Sequence, residues 1–147
     1  MSSKRGFTLI ETLIATAILV TGLLTVAAIF SYSARTTLYT EQMTTGVLLT
    51  NTKMEALRAI TPISNLNTGG GLNSSSPTAN YFEYVSISTS GAITANTSTT
   101  TAPYLRLWQI AGTNPRLITV SVYAQRSGVS GQAVELIRTT TEVTNGF

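Results

Sequence analysis

The chain of 147 residues offers little for catalysis. Its only acidic side chains are Glu11, Glu41, Glu55, Glu83, Glu135 and Glu142, and it holds no Asp, His or Cys. That removes thiolate nucleophiles, Ser-His-Asp and Cys-His arrangements, and zinc sites of the usual nitrogen and sulfur kind. The closest carboxylates, Glu135 and Glu142, stand too far apart along a strand for paired acid–base work. No Gly-rich loop carries the Lys of a phosphate cradle. An enzyme, a metal site and a cofactor are therefore not expected. One carboxylate is oddly placed. Glu11 is the only charge between Phe7 and Phe30, where an ionised group costs about 3 kcal/mol in a membrane-spanning segment. It calls for a nearby cation.

The element that positions Glu11 is the apolar run over residues 7–30. As a helix it spans about 36 Å, enough to cross a bilayer's hydrocarbon core. Lys4 and Arg5 precede it, which places the short amino-terminal leader in the cytoplasm. A secretory signal would end in a small-residue cleavage site after a shorter apolar stretch, whereas this run passes into Ser31-Tyr32-Ser33. Charged residues make up only 10% of the chain, 9 basic against 6 acidic. Dedicated phosphate recognition needs more clustered Lys and Arg than that. With 27 Thr and 15 Ser, the surface is solvated by hydroxyls, which fits an exposed, extracellular protein.

Lys4-Arg5-Gly6-Phe7-Thr8-Leu9-Ile10-Glu11 resembles the class III leader of type IV prepilins and type II secretion pseudopilins. The resemblance implies that a membrane-embedded prepilin peptidase cuts after Gly6, removing residues 1–6, and methylates the new amino-terminal Phe7. It also implies that Glu11 pairs in a filament with the terminal amine of a neighbouring subunit. That amine is the cation Glu11 needs. Thr8 is placed to cap the start of the helix.

Helical signals continue over residues 31–61, where Met43, Val47, Met54 and Leu57 form one stripe and Glu41, Gln42, Lys53, Glu55 and Arg58 mark the wetter side. Pro62 stops the helix, so one helix is expected over residues 7–60. Gly22, inside the apolar half, reads as a close-packing position. Residues 62–147 read as a β head, with polar loops at 62–80 and 88–102. Strands are expected at 81–88, 103–110, 117–124 and 132–143. The expected fold is α+β: a long helix, its first half transmembrane, with its second half on a four-stranded antiparallel meander.

That plan also resembles the pilin fold. Leu48-Leu49-Thr50-Asn51-Thr52-Lys53-Met54-Glu55-Ala56-Leu57-Arg58, Leu105-Arg106-Leu107-Trp108-Gln109-Ile110 and Leu117-Ile118-Thr119-Val120-Ser121-Val122 look like segments of PilV-like minor pilins and of the I-type minor pseudopilin. Two departures stand out. No Cys closes a loop near the end, and without Asp the calcium site of major pseudopilins looks absent. The implied partners are the peptidase, other pilin subunits, the inner-membrane platform protein of the assembly machine, and membrane lipid before assembly. The implied location is the inner membrane, then an extracellular pilus or a periplasmic pseudopilus.

Arg106, Arg116, Arg126 and Arg138 suggest a basic stripe for DNA or a solvated sheet face. The mature chain's 7 positive against 6 negative charges, once Lys4 and Arg5 are removed from the nine, favour the solvated face, so nucleic acid is not an expected partner. Tyr81, Phe82, Tyr84, Tyr104, Trp108 and Tyr123 read as core and cross-strand pairs before a ligand-stacking surface. Asn73-Ser74-Ser75 and Asn96-Thr97-Ser98 match a glycosylation sequon. A pilus subunit is the expected function, with a secretion pseudopilin and a membrane-anchored ligand-binding domain as the alternatives.

Overall fold

A computed structural model describes residues 8–60, 62–97, 102–125 and 133–144. The chain divides into two compact units, Met1–Thr40 and Glu41–Phe147. The helix α1 (Leu9–Arg58) supplies residues 9–40 to the first and 41–58 to the second. Its limits fall two residues inside those expected at either end.

In the first unit every described residue is exposed. Leu13, Ile14, Leu19, Leu23, Leu24 and Ile29 all have more than half of their surface free. The helix is long and apolar enough to cross a membrane. Its threonine hydroxyls bond back to the helix: Thr16 Oγ1 donates to the carbonyls of Thr12 (3.0 Å) and Leu13 (2.9 Å). Thr12, Thr21 and Thr25 likewise donate to carbonyls three or four residues back. Bonding of this kind lets a Thr-bearing helix present an apolar surface.

In the second unit, six strands form one antiparallel sheet among the described residues. They are β1 (Gly69–Gly70), β2 (Phe82–Ile87), β3 (Ile93–Asn96), β4 (Tyr104–Ala111), β5 (Arg116–Gln125) and β6 (Ala133–Val143). The order is β3-β2-β4-β5-β6, and β1 pairs with β4. The expected meander is β2, β4, β5 and β6. Two strands are additional and lie in segments expected to be loops. β3 returns along β2 through a tight turn in which Gly91 adopts φ +81°. Most of β3 is exposed, so its backbone pairing holds it where side-chain burial does not. β1 sets Gly69 opposite Ile110 and Gly70 opposite Gln109. A Cβ on Gly70 would lie 2.3 Å from the Trp108 carbonyl oxygen, and the residue sits at φ +89°, so only glycine lets β1 lie so close.

The helix seats on one face of the sheet through Gly46, Leu49, Thr50, Met54 and Leu57. Leu49 packs with Val85, Val122 and Leu136, while Met54 and Leu57 pack with Ile63, Leu66, Trp108, Ile110, Ile118 and Val120. Val47, expected on this stripe, is instead 42% exposed. Gly46 takes the place: a Cβ there would stand 3.3 Å from Leu136 Cβ, so the seat is set by closeness of backbone as well as by apolarity. On the opposite sheet face Leu105, Leu107 and Tyr123 are buried beneath Leu72, Phe82 and Tyr84.

Candidate functional site

At the start of α1, the Thr8 carbonyl accepts from the amides of Glu11 (3.1 Å) and Thr12 (3.2 Å). Its Oγ1 accepts from Glu11 N at 3.4 Å, the cap expected of it. Glu11 thus stands in the first turn, where the free amides of the helix end favour a negative charge. Its side chain is exposed and takes part in no ion pair among the described residues. At about 100° per residue, Glu11, Ala15 and Gly22 fall within a sector of roughly 40°. A Cβ on Gly22 would meet nothing within 4 Å. The carboxylate shares its side of the helix with these two small residues and with the bulky, exposed Ile18 and Ile29. Lys4, Arg5, Gly6 and Phe7 lie outside the described residues.

The second unit holds a charge cluster that the sequence reading missed. Glu83 on β2 stands directly opposite Arg106 on β4. Its Oε1 accepts from Arg106 Nε at 2.9 Å and Nη2 at 2.6 Å, and from Lys53 Nζ of the helix at 2.9 Å. Arg106 Nη1 also donates to the Leu49 carbonyl at 2.7 Å. Lys53 lies 3.7 Å from the centre of the Trp108 ring. With side-chain exposures of 6% for Arg106, 14% for Glu83 and 17% for Lys53, the group ties helix to sheet out of water. A period-2 reading of β2 and β4 could have found it, because Glu83 shares the parity of Val85, and Arg106 that of Trp108 and Ile110.

The arginines form no single stripe. Arg106 is buried against the helix, which corrects its reading as part of a solvated face: its even position in β4 turns it inward between Tyr104 and Trp108. Arg116 begins β5 opposite Val143, on the parity of the buried Ile118, with Nε and Nη1 buried and unpaired. Arg126 lies outside the described residues. Arg138 alone stands on the outer face, bonded to Glu135 (2.8 and 3.0 Å) and Ser121 (3.1 Å). The Glu135 carboxylate, and then the Tyr123 hydroxyl, hold its guanidinium above its ordinary pKa. Half of its side chain remains in solvent.

The aromatic residues serve the core on both faces. Trp108 and Tyr123 are buried, Tyr81 tilts against Trp108 at 6.3 Å, and Phe82 meets Tyr84 edge-on at 5.7 Å. Two tyrosines also pin the connection that crosses the sheet. Tyr81 OH donates to the carbonyls of Asn67 and Thr68, and Tyr123 OH to that of Leu72 at 2.7 Å. Of the sequons, Asn73 is exposed in a turn where its Oδ1 accepts from Ser75 N at 3.0 Å, while Ser98 of the other lies outside the described residues. No group of three potential metal ligands occurs among the described residues.

No curated protein and no solved structure matches the chain. Residues 1–29 match the family model of the prokaryotic N-terminal methylation motif. That stretch includes Gly6, Phe7 and Glu11 and runs through most of the exposed apolar helix. The chain therefore carries the amino-terminal signature of a type IV pilin- or pseudopilin-type precursor.

Proposed function

We propose that the chain is a type IV pilus subunit of the minor, PilV-like kind, acting in pilus assembly, adhesion or motility. The observation that carries this reading is the methylation motif over residues 1–29 set on a helix whose residues 9–40 are exposed among the described residues. Such an apolar surface needs lipid first and other helices later. In this reading the precursor sits in the inner membrane with residues 1–6 in the cytoplasm. The peptidase cuts between Gly6 and Phe7 and methylates the Phe7 amine, with Lys4 and Arg5 holding the leader at the cytoplasmic face. Residues 7–30 then pass from lipid into the filament core by way of the platform protein.

Glu11 sets the register there. A carboxylate in an apolar layer is tolerated when a cation neutralises it, and the Phe7 amine of a neighbouring subunit supplies that charge. Thr8 holds the first turn so that the carboxylate keeps its place. Residues 31–61 carry the β head of residues 62–147 to the exterior. A type II secretion pseudopilin, exported only as far as the periplasm, uses the same amino terminus; the host's gene neighbourhood separates the two.

The test is co-expression with a prepilin peptidase. Gly6→Ala should leave the leader uncut and the chain in the inner membrane. Glu11→Ala should be cut normally and yet fail to enter filaments. Surface display of the head with the leader still attached would refute the filament reading and favour a membrane-anchored ligand-binding domain.

A further inference from the structure

Two charges bound the uncharged stretch of the first unit. Between Glu11 and Glu41 the only charged residue is Arg35, and it stands about 36 Å along the helix from Glu11. A bilayer's hydrocarbon core is about 30 Å thick, with headgroup layers beyond it on either side. The helix can therefore keep both charges out of hydrocarbon, one at each face. With the leader in the cytoplasm, Arg35 lies at the opposite face.

The surroundings of Arg35 suit the headgroup level. It is exposed, and its side chain takes part in no ion pair or hydrogen bond among the described residues. Tyr32 and Tyr39, each more than half exposed, lie on its side of the helix, all three within a sector of roughly 60°. Tyrosines settle at a membrane interface with the ring in apolar matter and the hydroxyl in water. Helical side chains lean toward the amino terminus, so the Arg35 guanidinium leans back toward the bilayer while the Glu11 carboxylate leans out of it. The end of the apolar run does not by itself fix the depth. Beyond Phe30, the hydroxyls of Thr36, Thr37 and Thr40 donate to the carbonyls of Tyr32 (3.0 Å), Ser33 (3.0 Å) and Thr36 (2.9 Å), and Leu38 is more than half exposed. Bonded in this way, the stretch tolerates apolar surroundings. The guanidinium is its costliest group to bury.

We propose that Arg35, flanked by Tyr32 and Tyr39, binds the phosphate of a phospholipid in the leaflet opposite the leader, and that this contact sets the depth of the helix. A guanidinium suits a phosphate because its fork of donors meets two oxygens at once. At that depth Glu11 waits among the headgroups of the cytoplasmic leaflet, outside the hydrocarbon, until the chain leaves the membrane. The inference rests on the membrane stage of the proposed function and needs no filament.

The test uses the full-length chain in phosphatidylcholine vesicles. Because the chain contains no Cys, a fluorophore on Ser33→Cys or Ala15→Cys reads depth at one site, through lipids carrying quenchers at fixed levels. The uncharged stretch over residues 12–34 is centred on residue 23, and with Arg35→Leu it extends to residue 40 and centres on residue 26. Three residues are about 4–5 Å. Arg35→Leu should therefore draw the Ser33 probe deeper by about 4–5 Å and push the Ala15 probe outward by as much. Phosphate recognition is read separately, by the lipid kept through mild detergent extraction. The unsubstituted chain should retain several-fold more phosphatidylcholine than Arg35→Gln, and both should retain equally little digalactosyl diglyceride, which has no phosphate. Probe depths unmoved by Arg35→Leu, or phospholipid retention unmoved by Arg35→Gln, would overturn the proposal. A chain that does not enter the vesicles at all would overturn the membrane stage itself.

Discussion

Removing Glu83 should cost more than removing Arg106, and removing both should cost less than removing Glu83 alone. In the chain carrying Glu83→Leu, Arg106 keeps its bond to the Leu49 carbonyl but loses its counter-charge while only 6% of its side chain is exposed. Lys53 loses the same partner and holds only the Trp108 ring. Stranding a buried charge in this way costs about 3–5 kcal/mol. With Arg106→Met, Glu83 still has Lys53 at 2.9 Å, and the apolar stem of the new side chain fills the space. The loss is then that of the Arg106 hydrogen bonds, about 1–3 kcal/mol. In the double variant no buried charge is stranded except Lys53, which is close enough to the surface to reach water, so about 1–2 kcal/mol is expected. Denaturant unfolding of the full chain in detergent gives the three values. Trp108 is the only tryptophan and lies in the cluster itself, so its emission reports this site. If the double variant loses as much as the two single variants added together, the cluster is not a coupled unit and the reasoning fails.

Other substitutions read the close approaches. Gly70→Ala meets the Trp108 carbonyl and an unfavourable φ together; a loss of more than about 2 kcal/mol of unfolding free energy is expected, and an unchanged unfolding midpoint would count against β1. Gly46→Leu drives a side chain into Leu136 and Ile137 and should cost about 2–3 kcal/mol in the same assay. Tyr123→Phe removes the bond to the Leu72 carbonyl and should cost about 1 kcal/mol, with faster proteolysis near residue 72 as a second readout. Gly22→Ala finds open space and should raise helicity without harming membrane insertion, read by circular dichroism in lipid vesicles.

Periodicity and punctuation carry most of this fold. The apolar run with Pro62 behind it marks α1 to within two residues at each end. Alternation over Ile118, Val120 and Val122 places β5, and its neighbours follow from short connections. Three features escaped for one physical reason: their signal lies in what surrounds them. β3 is held by backbone pairing that Thr94-Ala95-Asn96 does not advertise. Gly46 lies on the core stripe because the sheet comes close, so an apolar count prefers its neighbour Val47. Arg106 looks like a surface charge until Glu83 and Lys53 are brought to it from residues 23 and 53 positions away. At the amino terminus the case differs. Gly6, Phe7 and Glu11 are conspicuous in the sequence itself, since a single charge in a long apolar run stands out without any tertiary context.

The hydroxyls of the first unit have a further consequence. Thr12, Thr16, Thr21 and Thr25 bond only to carbonyls of their own helix, so their polar groups are as well served in hydrocarbon as in a packed protein interior. Exchanging one apolar surrounding for another breaks none of these bonds and makes none. The side-chain contribution to such an exchange is close to neutral along this stretch, with Glu11 as the exception. A segment built in this way can pass from one apolar surrounding to another in either direction without giving up a threonine hydrogen bond.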